Sequence, residues 1–358
     1  MGKIKTMKSF KNAALVAIAA VLSVSILFPV ASASAASSAA LSIIPRKNYT
    51  IEQGKSIKDT LTIRNLDNEV PLELSLRVVD FTFNDDGGTP KLMLDEDAPQ
   101  TTWSLKPYLS VPKTVVVPPK ASRTLDMSIA FPAGHGAGSY YSAIVYSSGS
   151  ADGGNVGLSA SGVTLVFTNV PGKVNENLNL EKFGAYHLAG SNKKAGYTFI
   201  TMDKPEAIAY TLKNNGNVAE SPVGSITVKH MFMKAQTISN INPNESLALI
   251  GQSRTFTSCI KLASQEVDFN GSKTKSSSCA EPDLWPGHYT VTLDAYYGQN
   301  GNNTQEIVRT ATFWYLPLWF LIVMFVVLAF VGYHGFRFYR RIRTAVNGPS
   351  ARRSPRRK

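Results

Sequence analysis

The chain has few cysteines and histidines, the residues that most often hold transition metals or take part in catalytic clusters. It contains two cysteines and five histidines among 358 residues. The histidines His135, His187, His230 and His288 show no His-x-x-x-His spacing, and no G-x-S-x-G nucleophile motif occurs. The sequence therefore indicates no catalytic residue, no metal site and no cofactor, and we predict a protein that is not an enzyme.

Acidic residues are scarce at both ends of the chain, and this explains the basic net charge. The formal net charge is +12, but four lysines lie between Lys3 and Lys11, and nine basic residues with no acid lie between Arg337 and Lys358. The sequence between these ends is close to neutral. Because the basic residues flank hydrophobic segments instead of forming a patch on a domain, we exclude nucleic acid as a partner.

The N-terminal segment has the three-part pattern of a secretory signal peptide. Its lysines precede an apolar run at residues 13–30, and small residues follow at Ala31, Ala33 and Ala35. We therefore predict a signal peptide at residues 1–35, cleaved near Ala33 or Ala35. An uncleaved N-terminal anchor is the alternative, since the apolar run is long.

A second apolar run lies near the C-terminus, at residues 313–333, and contains no charged residue. At about 1.5 Å per residue it is long enough to cross a bilayer as a helix, and it lacks the polar face of a buried core helix. The aromatic residues Trp314, Tyr315 and Trp319 crowd its beginning, as is typical of a membrane interface. The positive-inside rule then places the basic tail, residues 334–358, in the cytoplasm and the preceding domains outside the cell.

Cys259 and Cys279 both lie in the exported part of the chain. In an oxidising compartment we expect them to form a disulfide, worth roughly 3 kcal/mol for a loop of about 20 residues. Two free thiols, or a metal pair that lacks its other ligands, are the alternatives.

Between the two apolar ends the sequence is typical of an all-β protein. Short β-rich stretches such as DTLTIRNL, KTVVVPP and GVTLVFTNV are separated by Gly, Pro, Asn and Asp, and no long amphipathic helix pattern occurs. LTIRNLDN, ending at Asn68, matches YTLKNNGN, ending at Asn217, and SRTLDMSI matches SRTFTSCI. The repeat predicts two tandem immunoglobulin-like β-sandwich domains, at residues 39–175 and 176–312, the second with an insertion bracketed by the two cysteines.

A tyrosine follows a glycine in the corresponding part of each half. LWPGHYTVTLDAYYG contains Tyr289, and the looser copy GAGSYYSAIVY contains Tyr140. In immunoglobulin-like sandwiches a tyrosine early in the penultimate strand bonds nearby backbone and fixes a corner, so we predict this structural role for both. Alternation after Tyr289 predicts that Val291, Leu293 and Ala295 face a core.

Two further segments are candidates for binding. The acidic cluster around NDDGGTPKLMLDED favours either a calcium site or, since D-x-D-x-D-G spacing is absent, a solvated hairpin. Trp103 and Tyr108 lie between prolines in APQTTWSLKPYLSVP. If exposed, this pair could stack on a sugar or anchor a protein partner; the alternative is that Trp103 packs at one end of the first core.

The whole layout resembles a family of surface proteins. A signal peptide, a first domain that begins LSIIPRKNYTIEQGKSIKDTLTIRNLDNEVPLELSLRVVDF and turns at GSYYSAIVY, a second sandwich, one transmembrane helix and a basic tail resemble the WxL-interacting proteins of Gram-positive bacteria. The resemblance implies a first domain that binds peptidoglycan and a second that binds partner surface proteins carrying the WxL motif. No binding residue is carried over from that family.

These observations favour a single-pass membrane protein that acts as a scaffold at the cell surface and holds cell-wall polymer or secreted surface proteins. A subunit of a membrane-bound secretion or surface-assembly machine, with a chaperone-like role, is the alternative. An enzyme such as a wall hydrolase would need paired carboxylates or a nucleophile and base, which no part of the sequence suggests.

Overall fold

The computed structural model describes residues 41–346, apart from residues 86, 96, 98–99, 149–160, 191–193, 270–271 and 299–303, together with residue 348. The predicted signal peptide at residues 1–35 lies outside the described residues, as does most of the tail beyond residue 346. The described chain consists of β-strands followed by one long helix.

The first sandwich is built from the strands up to Val170. In chain order these are β1 Leu41–Ser42, β2 Arg46–Thr50, β3 Ser56–Asn65, β4 Leu72–Val79, β5 Phe81–Phe83, β6 Pro90–Leu92, β7 Leu109–Ser110, β8 Thr114–Val117, β9 Ser122–Ala130, β10 Gly138–Ser147 and β11 Ser161–Val170. One sheet has the order β1-β3-β9-β7 and the other β2-β11-β10-β4-β8, while β5 and β6 form a separate hairpin. The two sheets enclose the first apolar core.

The second sandwich is built from the strands after Leu178. These are β12 Leu178–His187, β13 Gly196–Thr198, β14 Ile200–Thr201, β15 Ala207–Asn214, β16 Val223–His230, β17 Gln236–Ile238, β18 Ser253–Cys259, β19 Leu262–Phe269, β20 Ser272–Cys279, β21 Gly287–Tyr297 and β22 Gln305–Tyr315. Its sheets have the orders β13-β12-β15-β18 and β14-β22-β21-β16-β17. They enclose a core of their own.

The two sandwiches share one topology. In each, the last strand pairs antiparallel with the strand before it and parallel with a short early strand, β2 on β11 and β14 on β22. The predicted fold class, all-β with two tandem immunoglobulin-like sandwiches, is thereby confirmed. The alternation predicted after Tyr289 is also confirmed, since Val291, Leu293 and Ala295 are fully buried.

A buried asparagine closes the corresponding turn in each half. The Asn65 side chain donates to the carbonyls of Val70 and Val117, at 2.9 and 3.1 Å, and accepts from the Asp67 amide. Asn214 does the same with Val218, Ala248 and Gly216. The matching asparagines in the sequence repeat therefore occupy equivalent positions, because each bonds an amide of its own turn and the carbonyls of two separate segments.

The insertion in the second half forms the hairpin of β19 and β20, in which Leu262 pairs with Cys279. The predicted disulfide is present: Cys259, at the end of β18, is bonded to Cys279, at the end of β20. The disulfide therefore ties the base of the hairpin to the sandwich.

The helix, α1, spans Leu318–Val346 and is long and apolar enough to cross a membrane. The predicted start of the membrane segment at residue 313, and the end of the second domain at 312, are wrong. Phe313 and Tyr315 belong to β22 and are buried in the second core, where Phe313 stacks on Tyr289. Pro317 then lies directly before α1, and its carbonyl accepts the first helical hydrogen bonds, from the amides of Phe320 and Leu321.

A third apolar cluster joins the two sandwiches. Val79, Tyr141, Ala143, Val145 and Phe167 on the outer face of the first sandwich pack with Ala219 and Leu249 of the second. Backbone bonds add to this contact, since the Ser139 amide donates to the Asn217 carbonyl at 3.0 Å. Gly138, with φ of 146°, allows this approach, because a Cβ there would lie 2.7 Å from the same carbonyl oxygen. We call these residues the junction cluster.

Replacing Asn65 should destabilise the first sandwich. Asn65→Ala leaves the buried Val117 carbonyl and the Asp67 amide without their partner, so we expect a loss of about 1–3 kcal/mol in the free energy of unfolding. Urea unfolding of the full chain in detergent micelles, followed by near-UV circular dichroism, measures this. Asn68→Ala, at an exposed position of the same turn, is the control. Equal stability of the two variants would contradict the role assigned to Asn65.

The junction cluster should couple the unfolding of the two sandwiches. Leu249 is fully buried there, so Leu249→Ala should lower stability by about 2–5 kcal/mol and separate one thermal transition into two. Scanning calorimetry of the full chain measures both effects. Leu262→Ala, at a 65% exposed position, should change little. A single unchanged transition in Leu249→Ala would show that the sandwiches unfold independently of this contact.

Candidate functional site

A cleft lies beside the junction cluster, with one wall from each sandwich. Its cavity has a volume of about 130 Å³, roughly ten times the 10–15 Å³ that one water molecule requires. Arg46, Asn48 and Phe167 line it from the first sandwich. Glu220 and Leu247 line it from the second. The cleft thus combines a cation, a carboxylate, amides and apolar surface in one concave site.

Arg46 is the main cation of the cleft and begins the parallel strand β2. Its Nη1 donates to the Glu245 carbonyl across the junction at 2.8 Å, and its Nε donates to Asn48 Oδ1 at 3.0 Å. The guanidinium lies over the Phe167 ring, 5.2 Å from its centroid. Burial lowers the pKa of Arg46, and the Glu245 carboxylate opposes this shift. The side chain is therefore held in place while its Nη2 donates to no residue in the described part of the chain.

A second arginine, Arg254 of β18, lies at the same junction. Its guanidinium lies over Phe83 of the first sandwich at 4.7 Å and donates to the Leu247 carbonyl at 2.8 Å. Burial lowers the pKa of Arg254, and the nearby charge of Arg46 lowers it further, while Asp85 raises it. Arg254 therefore connects the two sandwiches at the junction, while Arg46 is the arginine that lines the cleft.

Trp103 packs against the junction cluster, where it is half-buried. Its ring stacks on Tyr141, with centroids 6.0 Å apart, and its indole Nε1 is buried. Only part of the ring is therefore open to a ligand, and Trp103 does not line the cleft. This placement agrees with the packing alternative, although Trp103 packs at the junction and not in the first core.

Tyr108 lies apart from Trp103, on the first core. Its ring contacts Phe131, at a centroid distance of 4.9 Å, and His135, at 4.6 Å. The structure therefore places the two candidate aromatic residues in different clusters. A joint binding role for Trp103 and Tyr108 stays a prediction.

Both predicted corner tyrosines bond the backbone four residues earlier. The Tyr289 hydroxyl donates to the Trp285 carbonyl at 2.8 Å and accepts from its amide at 2.9 Å. The Tyr140 hydroxyl donates to the Gly136 carbonyl at 3.0 Å. These are contacts that a tyrosine corner requires. Burial raises the pKa of both hydroxyls, so they remain protonated donors at neutral pH.

The acidic cluster proposed for calcium lies around the β5–β6 hairpin. Asp85 accepts from the Thr89 amide and hydroxyl and closes the turn, and Gly88 lies against the Arg254 guanidinium. Asp86 and Glu96 lie outside the described residues. Within the described part of the chain, no group of three His, Cys, Asp or Glu residues is arranged to hold a metal ion.

Sequence reasoning missed Arg46, Arg254 and Asp80. Asp80 is buried and accepts from the hydroxyls of Ser104 and Ser142, at 2.6 and 3.0 Å, and thereby fixes the segment that carries Trp103. Its position between apolar residues in VVDFTF was an available signal, because a carboxylate in such a strand needs donors. No local sequence pattern around Arg46 or Arg254 predicted that these side chains lie at the junction.

No protein-family model matches the chain, and no curated protein matches it. Among solved structures it is similar to the class 5 fimbriae chaperone CfaA, with 12% identity, 78% of this chain and 100% of that chain covered, and a TM-score of 0.33. It is also similar to the E. coli chaperone DraB, with 12% identity, 75% and 97% coverage and a TM-score of 0.30. The Salmonella enterica SafA pilin in complex with the SafB chaperone gives 8% identity, 76% and 97% coverage and a TM-score of 0.30. Likenesses this distant assign no activity to the chain.

Proposed function

We propose that the protein is a single-pass, membrane-anchored scaffold of the cell surface that binds cell-wall polymer or partner surface proteins. The observation that carries this proposal is the connection between the second sandwich and α1. Strand β22 ends at Tyr315 and α1 begins at Leu318, so two residues separate a packed sandwich from an apolar helix. A connection this short holds the sandwiches close to the membrane that α1 would cross.

The cleft lies at the end of the second sandwich away from α1. Glu220 and Ser221, which line it, precede β16, whose first residue Val223 pairs with Tyr296 near the far end of β21. The eleven residues of β22 then run from Gln305 at this end to Tyr315 beside the helix, a length of roughly 33 Å. A protein anchored by α1 would present the cleft about this far from the bilayer, facing the wall side.

The chemistry of the cleft suits a protein partner. Arg46 supplies donors to a carboxylate or a backbone carbonyl, and the Phe167 ring supplies apolar contact beside it. Because Arg46 is held by Asn48 and Glu245, little side-chain entropy remains to be lost on binding. We therefore assign the cleft to a segment of a partner surface protein.

The resemblance to WxL-interacting proteins supports the same role and adds the cell-wall ligand. It implies peptidoglycan as the ligand of the first sandwich, for which Trp103 and Tyr108 remain the proposed residues. We assign no catalytic role to either sandwich and propose no nucleic-acid partner.

Membrane anchoring predicts that the full chain stays in the membrane fraction after alkaline carbonate extraction, since α1 supplies an apolar span. Protease added to intact cells should remove both sandwiches and leave a short α1-containing fragment. Carbonate-extractable protein would contradict anchoring, and protected sandwiches would contradict an outward orientation.

Binding in the cleft predicts that Arg46→Ala weakens retention of a partner by roughly tenfold or more, since hydrogen bonds to a charged group contribute about 1.5–3 kcal/mol. The full chain in detergent micelles would be titrated against a purified surface protein carrying the WxL motif and, separately, against purified peptidoglycan. Arg64→Ala, at an exposed position of β3, is the control.

Testing the surface protein and peptidoglycan separately distinguishes the role of the cleft from the scaffold function as a whole. Loss of protein binding in Arg46→Ala, with Arg64→Ala unchanged, would support the cleft. Equal binding by both variants would remove the cleft from the proposal. A wild-type chain that binds neither peptidoglycan nor the surface protein would overturn the scaffold function.

A further inference from the structure

The end of the second sandwich next to α1 carries a ring of exposed apolar side chains from four separate segments of the chain. We call them the apolar rim: Phe199, Ile200, Met202, Met231, Phe232, Met233, Trp285 and Trp314. Phe232 is 85% exposed and Trp285 is 64% exposed. Large apolar side chains in such numbers at one end of a domain mark an interaction surface.

Strand register places these segments at one end of the sandwich. Ile200 pairs with Trp314, and Tyr315 pairs with Gly287, two residues after Trp285. In the same sheet His230, which precedes the Met-Phe-Met segment, pairs with Tyr289. Neighbouring strands lie about 4.8 Å apart, so the rim segments lie within a few strand widths of the end of β22.

The rim is also close to the start of α1. Leu318 follows Tyr315 by three residues, which span at most about 11 Å. Where α1 enters a bilayer, the rim must therefore lie at the depth of the headgroups or just above them. Trp319, in the first turn of α1, is 55% exposed and continues the same aromatic surface.

Among the described residues of the sandwiches, the exposed Phe and Trp side chains lie at this end. Among the Phe and Trp residues of both sandwiches whose side chains are described, the exposed ones are Phe199, Phe232, Trp285 and Trp314. The exposed large apolar residues of the first sandwich are aliphatic and scattered, such as Val70 and Val116. The clustering of exposed aromatic side chains in the rim is therefore not a general property of the protein surface.

The corner tyrosine of the second half fixes part of the rim. Tyr289 bonds both backbone groups of Trp285, so the Trp285 ring projects from a rigid turn. The His230 ring packs on Tyr289 at 4.7 Å and on Phe232 at 6.0 Å. The corresponding corner of the first half, closed by Tyr140, carries Gly136 where this one carries Trp285.

Two ion pairs lie beside the rim, and the exposed Lys234 directly follows Met233. Lys204 pairs with Glu281 at 3.0 Å, and Lys261 pairs with Asp283 at 2.7 Å. Because Lys204 and Lys261 are already paired, apolar contact provides most of the interaction with the bilayer.

We propose that the apolar rim is a membrane-contact surface, and that Phe232, Trp285 and their neighbours insert into the interfacial layer of the bilayer crossed by α1. This inference rests on the proposed anchoring by α1. The inserted rim fixes the tilt of the second sandwich on the membrane, and through the junction cluster it fixes the direction in which the cleft faces.

Nitroxide labels on the full chain in phosphatidylcholine vesicles test this proposal. Three variants each carry one label. The labelled positions are Phe232→Cys in the rim, Val116→Cys on the first sandwich and Phe325→Cys within α1, where the native side chain is 72% exposed. The native cysteines are bonded to each other and do not react. Collision rates with apolar oxygen and with an aqueous nickel chelate report the surroundings of each label.

We expect the labels at 232 and 325 to favour oxygen over the nickel chelate by several-fold relative to the label at 116. Nickel accessibility at 232 equal to that at 116, with the label at 325 still in lipid, would overturn the rim proposal and leave anchoring intact. An aqueous label at 325 would instead overturn anchoring. A label at 232 shielded from both reagents would identify a protein contact and also overturn the proposal.

Discussion

Strand β10 is buried on both faces, and the arrangement of the two sandwiches depends on this double burial. One face, with Ile144 and Tyr146, belongs to the first core, and the other, with Tyr141 and Ala143, belongs to the junction cluster. A sheet packed on both sides cannot slide against either layer without opening cavities, which are costly in a close-packed interior. The cleft around Arg46 is a consequence, because its walls keep their separation only while the junction stays packed.

The two halves share their turn structure and differ in one added hairpin each. Asn65 and Asn214 close their turns with the same set of bonds, so the internal structure of each sandwich is alike. The first half adds the β5–β6 hairpin, which lies against Arg254 at the junction. The second adds the disulfide-bonded β19–β20 hairpin. The repeated framework is thus common to both halves, and of the two additions the β5–β6 hairpin contributes to the junction.

The sequence pattern predicted burial where a strand contacts a single core. The alternation after Tyr289 predicted the buried face of β21, since that strand has a core on one side only, whereas β10 shows no alternation because the second sandwich covers its outer face. The start of α1 was misplaced because Phe313 and Tyr315 are as apolar as the helix that follows. Composition does not separate a core strand from a membrane span. Arg46 and Glu220, which line the cleft, are distant in sequence, so the sequence alone did not predict this site.

Four short-range constraints together connect the α1 end of the second sandwich to the cleft. The two-residue connection before α1 limits how far the second sandwich can move from a bilayer, and the Tyr289 corner holds Trp285 on that side. Strands β21 and β22 transmit orientation along their length, because each residue of β21 from Gly287 to Tyr297 is paired with β22. At the far end the junction cluster continues this rigid path into the first sandwich. A membrane contact at the rim would therefore orient the cleft through paired strands and the packed junction.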